Sequence, residues 1–462
     1  MVARGRGQLK AGILVPGKVN PAPADRSVLV ISYLYPPVGG GGVQRALKLS
    51  RYLPEYGWRP LVVAVEGSPP GQPRDPQLLE EIPGESVVCR VPEPPTARWL
   101  FSRARSAAGP SPGCGSNSPG PGRLRTGLRR TLGSLRDHVL APDEQVLWVS
   151  GAAGAGMELV RKYHPAAILS TSGPASNHLV AERIHRRTGL PWIADFRDPW
   201  VDNMHWNRLP PRRRARESRM EASVAAAASA FTAVTRAFCD QLSQRYPGLP
   251  VGLIYNGFDP ADYRDLPTAD SCPDGAVTLV YAGALYPKRS PEAIFRALRN
   301  LIDRGQLSPG TIRIVFAGIF DYPGRSENAD LVRRLDLEDC IYPVGSLSHR
   351  AVLDLMARAD GLLLVGDEDP SAGDYIPGKI YEYLALDKPM VGSQARGEAR
   401  DILESTGNAF LCDPGEVEDM EERLLAFLSD ASDAGRHTPD LSPYRRDLQA
   451  AQMGWMLDRI SG

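Results

Sequence analysis

The sequence predicts an α/β protein built from two tandem domains, each a doubly wound parallel sheet, and three observations carry that expectation. Apolar runs of strand length alternate with helical stretches along nearly the whole chain, as in βαβ units. A glycine-rich loop follows the first of those runs. A polar, turn-rich segment, "NGFDPADYRDLPTADSCPDGA", divides two such series. At 462 residues the chain is also too long for one ordinary core, so two domains of roughly 200 residues each are expected.

Residues 1–25 are basic and rich in Pro and Gly and read as a disordered leader. "SVLVIS" then opens the first domain (26–255), followed by "YLYPPVGGGGVQ", a helix over "RALKLSRYLPEYG", and the strand "PLVVAV". Further strands are expected at "AAILST", "PWIADF", "AFTAV" and "VGLIY". The second domain (256–435) runs through "VTLVYAG", the helix "PEAIFRALRNLI", "IRIVFAG", "CIYPVG", the helix "HRAVLDLMARA", "GLLLVG" and "PMVG". Residues 436–462 include "LQAAQMGWMLDRI", an amphipathic helix expected to pack back on the first domain. "PRRRARESRMEASV" reads as a surface helix with its arginines partly paired to Glu217 and Glu221.

Composition narrows the function classes. Basic and acidic residues balance at 54 each, which argues against a general nucleic-acid binder. The six cysteines are scattered, with no CxxC and no histidine at ligand spacing, so neither a zinc site nor a disulfide framework is indicated and a reducing cytoplasm fits. No apolar run approaches the roughly 20 residues that span a bilayer. The expected location is the cytoplasm, with peripheral attachment to the inner membrane face left open.

That option comes from an insertion at about 96–140. Between Thr96 and Arg136 there are eight arginines and no acid, and Leu124, Leu128, Leu132 and Leu135 fall on one helical stripe. The pattern fits an interfacial helix drawn to an anionic membrane surface, or a solvated basic flap.

The chemistry concentrates in "GDYIPGKIYEYLALDKPMVG", residues 373–392. Pro377 is pre-set for the first turn of a helix that Asp387-Lys388-Pro389 ends. Its first N–H groups, near Gly378 and Lys379, form an anion site that the Lys379 ammonium reinforces. Glu382, one turn on, can accept two hydrogen bonds from a vicinal diol. Phosphate plus diol describes a nucleotide or a nucleotide sugar. The competing reading is a capped core helix with surface charges.

Asp374 and Glu382 form an acid-x7-acid pattern that, with "PPVGGGGVQRALKLSRYLPEYGW", "PWIADFRDPW", "YNGFD" and "YAGALYPKRSP", resembles the GT-B glycosyltransferases, specifically retaining family 4. The likeness runs over nearly all of residues 27–430 and is nearest to members that assemble surface polysaccharides and glycolipids. It implies two Rossmann-like domains facing across a cleft, the first for the acceptor and the second for the donor. It also implies a co-substrate, a UDP- or GDP-sugar, with no resident cofactor and no metal. The acceptor is a saccharide, a lipid-linked sugar or a small molecule.

Carried over by position, Glu382 takes the donor ribose and Asp374, an aspartate where the family has glutamate, takes the sugar hydroxyls. Lys379, Arg289 and Lys288 neutralise the diphosphate, with Gly283 and Gly378 beside it and Gly41 and Gly42 in the first-domain loop. Two positions depart from the family. Ala284 stands where an arginine is usual, and Arg197 with Asp198 stands where many members have a histidine. Asp198 and Arg197 are therefore candidates for orienting sugar or acceptor, against a plain Asp-Pro turn held by an internal ion pair. His178 is another cleft candidate, set against a structural role. "DED" at 367–369 matches a DxD metal motif superficially and reads as solvated loop acids.

Two other classes share parts of this pattern. An NAD-dependent oxidoreductase would use a glycine turn and Glu66 after strand two, but Gln44 breaks GxGxxG. A catalytically silent nucleotide or sugar binder would explain the departures at Ala284, Asp374 and Arg197, but keeps Glu382 and Lys379 without purpose.

Overall fold

A computed structural model describes residues 26–69, 72–94, 140–204, 206–267, 275–286, 288–429 and 439–462. It divides into two compact units, Met1–Tyr255 with Asp447–Gly462, and Asn256–Arg446. The arginine- and leucine-bearing stretch between Thr96 and Arg136 and the leader at 1–25 lie outside the described residues.

In the first unit the order is β1 (Arg26–Ile31), α1 (Gly41–Tyr52), β2 (Trp58–Val65), β3 (Val87–Val91), α2 (Val149–Tyr163), β4 (Ala167–Thr171), α3 (Ser176–Thr188), β5 (Trp192–Phe196), α4 (Pro211–Ala227), β6 (Ala230–Ala233), α5 (Arg236–Arg245) and β7 (Val251–Leu253). The strands make one parallel sheet ordered β3-β2-β1-β4-β5-β6-β7. β4 and β5 are buried at every residue because helices cover both faces, which is why they read as unbroken apolar runs. β3 carries no strand signal in the sequence: it is an edge strand, half-buried except at Val91, and so has neither a continuous nor a clean alternating pattern.

α1 begins at Gly41, four residues before the expected start, because Gly40 makes the turn with φ 86° and leaves Gly41 and Gly42 in the first helical turn instead of the loop. α4 also differs from the expected surface helix. Glu217 and Glu221 are buried, and Glu221 accepts from Arg245, Tyr246 and the Val201 amide, none of them on its own helix. Only Glu217 keeps the i,i+4 partner, Arg213 at 2.7 Å.

The second unit runs β8 (Val277–Ala282), α6 (Glu292–Asp303), β9 (Ile312–Ala317), α7 (Glu327–Arg334), β10 (Ile341–Gly345), α8 (His349–Arg358), β11 (Gly361–Leu364), α9 (Gly378–Leu386), β12 (Met390–Ser393), α10 (Glu398–Glu404), β13 (Ala409–Cys412) and α11 (Val417–Ser429). Its parallel sheet is ordered β10-β9-β8-β11-β12-β13. β13, only four residues long, was again missed from sequence. Its core joins Leu279, Phe295, Leu298, Ile314, Leu363 and Leu424, from strands and the helices α6 and α11 on one face.

The chain then returns to the first unit. At the end of the second unit the Phe258 amide donates to the Tyr444 carbonyl and the Phe258 carbonyl accepts from the Arg446 amide, both at 2.9 Å. α12 (Arg446–Ser461) contributes Ala450, Met453, Met456 and Leu457 to the first core, and Asp458 accepts from Trp58 Nε1 at 3.0 Å. No helix among the described residues is long and apolar enough to cross a membrane.

Candidate functional site

In an open doubly wound sheet, ligands lie beyond the carboxyl ends of the strands where the strand order reverses. In the second unit that point is between β8 and β11, where Gly283, Lys379 and Arg289 lie close to one another. The loop after β8 is tightly set. A Cβ on Gly318, after β9 and at φ 138°, would lie 2.2 Å from the Gly283 carbonyl oxygen, so only glycine lets the two loops touch. Gly283 itself has φ 124°, and a Cβ there would stand 3.3 Å from Lys379 Nζ.

α9 is fixed from inside its sheet. The Tyr383 hydroxyl accepts from the Ala282 amide at 3.1 Å and donates to the Leu363 carbonyl at 3.1 Å, tying the helix to β8 and β11. Pro377 precedes the first helical residue, Gly378, and Asp387 closes the helix in the left-handed region at φ 49°. The helix start therefore projects Lys379 toward β8.

Lys379 Nζ is buried, has no hydrogen-bond partner, and lies 3.6 Å from the centre of the Tyr281 ring. Arg289 reaches the Tyr281 hydroxyl, its guanidinium stands 5.4 Å from the separate Tyr286 ring, and its buried Nε is without a partner. Burial and then the neighbouring Arg289 push the Lys379 amine well below the usual lysine range, against the pull of Glu382. Burial raises the Tyr281 hydroxyl to about 12, with Arg289 acting in the opposite sense. A lysine and an arginine thus come together with no ion pair of their own among the described residues.

Lys288 is placed differently. Its ammonium is paired with Asp369, and its carbonyl accepts from the Glu368 amide at 3.0 Å. The acids at 367–369 are thereby folded onto the loop after β8, with Asp367 accepting the Asp369 amide at 2.9 Å.

Glu382 is partly exposed, and its Oε1 lies 3.2 Å from His349 Nε2 at the start of α8. Tyr263 faces the same carboxylate; burial and then the Glu382 charge drive its phenol well above the usual range, and its buried hydroxyl has no partner. Asp374 is exposed at the end of a short 3-10 turn, Pro370–Asp374. His349, Tyr263 and Tyr281 were not found from sequence; the only signal was Ser348 capping α8, which puts His349 at the first helical position.

In the first unit the motif residues divide between exposed and structural. Asp198 is exposed. Arg197 spends its guanidinium on backbone carbonyls, Nε to Ser172 at 2.6 Å, Nη2 to Gly173 at 3.3 Å and Nη1 to Gly42, so neither an ion-paired Asp-Pro turn nor a guanidinium free for ligand is what the geometry presents. A Cβ on Gly173 would meet Arg197 Nη2 at 2.0 Å. Gly41 has open space around it, while a Cβ on Gly42 would come 3.0 Å from the Leu34 side chain. His178 is wholly buried, held at Nδ1 by Ser170 at 2.8 Å; burial pushes it down to about 4, so it is neutral near pH 7 and serves the core.

A buried pair absent from the sequence reading ties α1 to the sheet. Arg45 makes a two-pronged bond to Asp195 at 2.8 and 2.6 Å and donates to the Tyr255 carbonyl at 2.7 Å. Thr171 and Thr232 complete the carboxylate shell at 2.7 Å each. Burial opposes the Asp195 charge, but Arg45 and the two hydroxyls outweigh it and hold the carboxyl below its usual range.

Known proteins resemble the chain in sequence over its second unit and in fold over most of its length. Residues 276–430 match the family model described as glycosyl transferases group 1. A curated relative, 2-deoxystreptamine N-acetyl-D-glucosaminyltransferase of Streptomyces fradiae, is 30% identical over 155 residues, 33% of this chain and 34% of the relative. The chain therefore spans about a third of that relative's length. Among solved structures, a glycosyltransferase from Rickettsia africae superposes with TM-score 0.61 at 14% identity, over 94% of this chain and 98% of that one. The Anabaena protein HepE, in complex with UDP and glucose, superposes with TM-score 0.59 at 17% identity, over 94% and 99%. At such identities the likeness is one of fold. The chain accordingly has the GT-B fold of glycosyltransferases, and its second unit matches the group 1 glycosyl transferase family.

Proposed function

We propose that the protein is a glycosyltransferase that moves a sugar from a nucleoside diphosphate, with retention at the anomeric carbon, to a saccharide, lipid-linked or small-molecule acceptor. The observation that carries the reading is a pair of basic side chains, Lys379 and Arg289, with no ion pair of their own among the described residues, beside the first turn of α9 and one turn from Glu382. Departure of a nucleoside diphosphate builds negative charge on the leaving oxygen, and fixed cations with a helix start stabilise that charge as it grows. The same fixed charges do the work a metal ion does in other transferases, so the reaction is proposed to run without one.

Within this reading Glu382, steadied at Oε1 by His349, accepts from the ribose diol, and Asp374 is the acid for the sugar hydroxyls. Arg289 and Lys379 take the diphosphate and Lys288 shapes the loop through Asp369. UDP is placed ahead of GDP as the nucleotide, because HepE was solved with UDP. An amino sugar donor and an aminocyclitol acceptor are suggested by the curated relative's name.

The test is a thermal-shift panel with UDP, GDP, dTDP, CMP and NAD in the absence of added metal, followed by a transfer assay with the corresponding nucleotide sugars. Stabilisation by one nucleoside diphosphate and turnover of its sugar support the proposal. Stabilisation by NAD alone overturns it, and nucleotide binding without turnover would make the chain a silent binder.

A further inference from the structure

The Lys379 environment has a consequence for how the nucleotide enters, and it rests on the nucleotide-sugar reading above. An ammonium carries three donors and no acceptor, so a buried one needs carbonyls, carboxylates or water around it. Among the described residues no carbonyl or carboxylate hydrogen-bonds Lys379 Nζ: it lies on the face of Tyr281, beside Gly283, with the charged Arg289 near it. One aromatic face does not replace three hydrogen bonds, and Arg289 cannot give up its charge. Lys379 is the member of the pair that can discharge.

We infer that Lys379 is a neutral amine in the empty site and takes one proton from solvent as the diphosphate of the donor arrives, so that nucleotide-sugar binding is coupled to proton uptake. The empty recess then holds one positive charge, Arg289, and the loaded recess two, matching the two negative charges of a diphosphate diester. The direction of the Lys379 shift, set by burial and then Arg289, agrees with this geometry. The other ionisable groups facing the amine are few. Tyr281 of β8, at about 12, stays neutral through pH 9, and Tyr263, which faces Glu382, is driven well above the usual phenol range by burial and then that carboxylate. Glu382 on the same helix is a carboxylate partnered by His349 of α8.

The experiment is titration calorimetry of the full chain with UDP-glucose and GDP-mannose at pH 7.5 and pH 9, each in two buffers of different ionisation enthalpy. These probes are diesters, so their own phosphates do not titrate in that range. At pH 9 an ordinary lysine, near 10.4, is already charged and an ordinary histidine is neutral before and after binding; neither contributes a proton. The expected result is uptake of close to one proton per ligand at pH 9, with Kd rising by up to about tenfold between pH 8 and pH 9. Lys379→Arg, permanently charged, should bind with no uptake. Binding with no uptake in the wild type overturns the inference and leaves the proposed function standing. Uptake that persists in Lys379→Arg, or that vanishes in His349→Gln, assigns the proton elsewhere and overturns it too. Failure of both probes to bind refutes the nucleotide-sugar reading itself, and the inference with it.

Discussion

Removing the Glu382 carboxylate tests the donor site most directly. In Glu382→Ala the two hydrogen bonds proposed to a ribose diol disappear, and His349 loses its acceptor at 3.2 Å. Hydrogen bonds to a charged group contribute about 1.5–3 kcal/mol each in mutational series. Glu382 keeps 28% of its side chain exposed, so water recovers part of that, and about 1.5–3 kcal/mol in total is the reasonable loss. Affinity for the nucleoside diphosphate should therefore fall about 10- to 150-fold, at 1.4 kcal/mol per factor of ten. In a thermal-shift assay with ligand at one hundred times the wild-type Kd, the wild type gains about 2.7 kcal/mol and a tenfold weaker variant about 1.4 kcal/mol, roughly half the shift. A variant that melts like the wild type without ligand and keeps the full ligand-induced shift would show that Glu382 does not meet the nucleotide.

Other substitutions separate the roles of neighbouring groups. Arg289→Ala should lower kcat by tenfold or more with a smaller change in KM, since its charge matters most when the leaving group is most negative; a change confined to acceptor KM would move Arg289 out of the donor site. Lys288→Ala should stay within about threefold of wild-type kcat, because that ammonium is already paired with Asp369, and a loss matching that of Arg289→Ala would reverse the ranking. Asp195→Asn strands Arg45, 1% exposed, beside a neutral amide and should cost about 3–5 kcal/mol, on the order of 10 °C in Tm. Because the folded-state pKa of Asp195 is depressed, the pair's stabilisation is present above about pH 4 and is lost as pH falls through the lower folded-state value. A variant with an unchanged Tm and an acid-unfolding midpoint equal to wild type would show that the pair contributes nothing net.

Local pattern made much of the fold legible. Buried parallel strands read as apolar runs, and punctuation such as Asp387-Lys388-Pro389 marked the end of α9 where it falls. The elements missed, β3 and β13, are short or half-buried edge pieces whose identity comes from the neighbour they pair with, which a window of sequence does not contain. The Arg45–Asp195 pair joins residues 150 apart. Its one local trace is an acid inside the otherwise apolar strand "WIADF", which a buried position tolerates only with a partner. The motif around α9 was legible because its residues act within one turn of each other; His349 and Tyr263, which reach Glu382 from other elements, were not.

Arg197 and Lys379 show why residue type alone does not assign such roles. Both are cations at the carboxyl end of a parallel sheet and both sit beside a glycine that admits them closely. Arg197 finds three backbone carbonyls, at Ser172, Gly173 and Gly42, which absorb its donors and join the loop after β4 to the first turn of α1. Lys379 finds an aromatic face, a second cation and no acceptor. The first arrangement is complete without a ligand and locks two loops of the switch point; the second leaves the amine without an acceptor among the described residues, the feature on which the proposed diphosphate site rests. That difference in partners separates an arginine absorbed by its own fold from a basic group open to the proposed diphosphate.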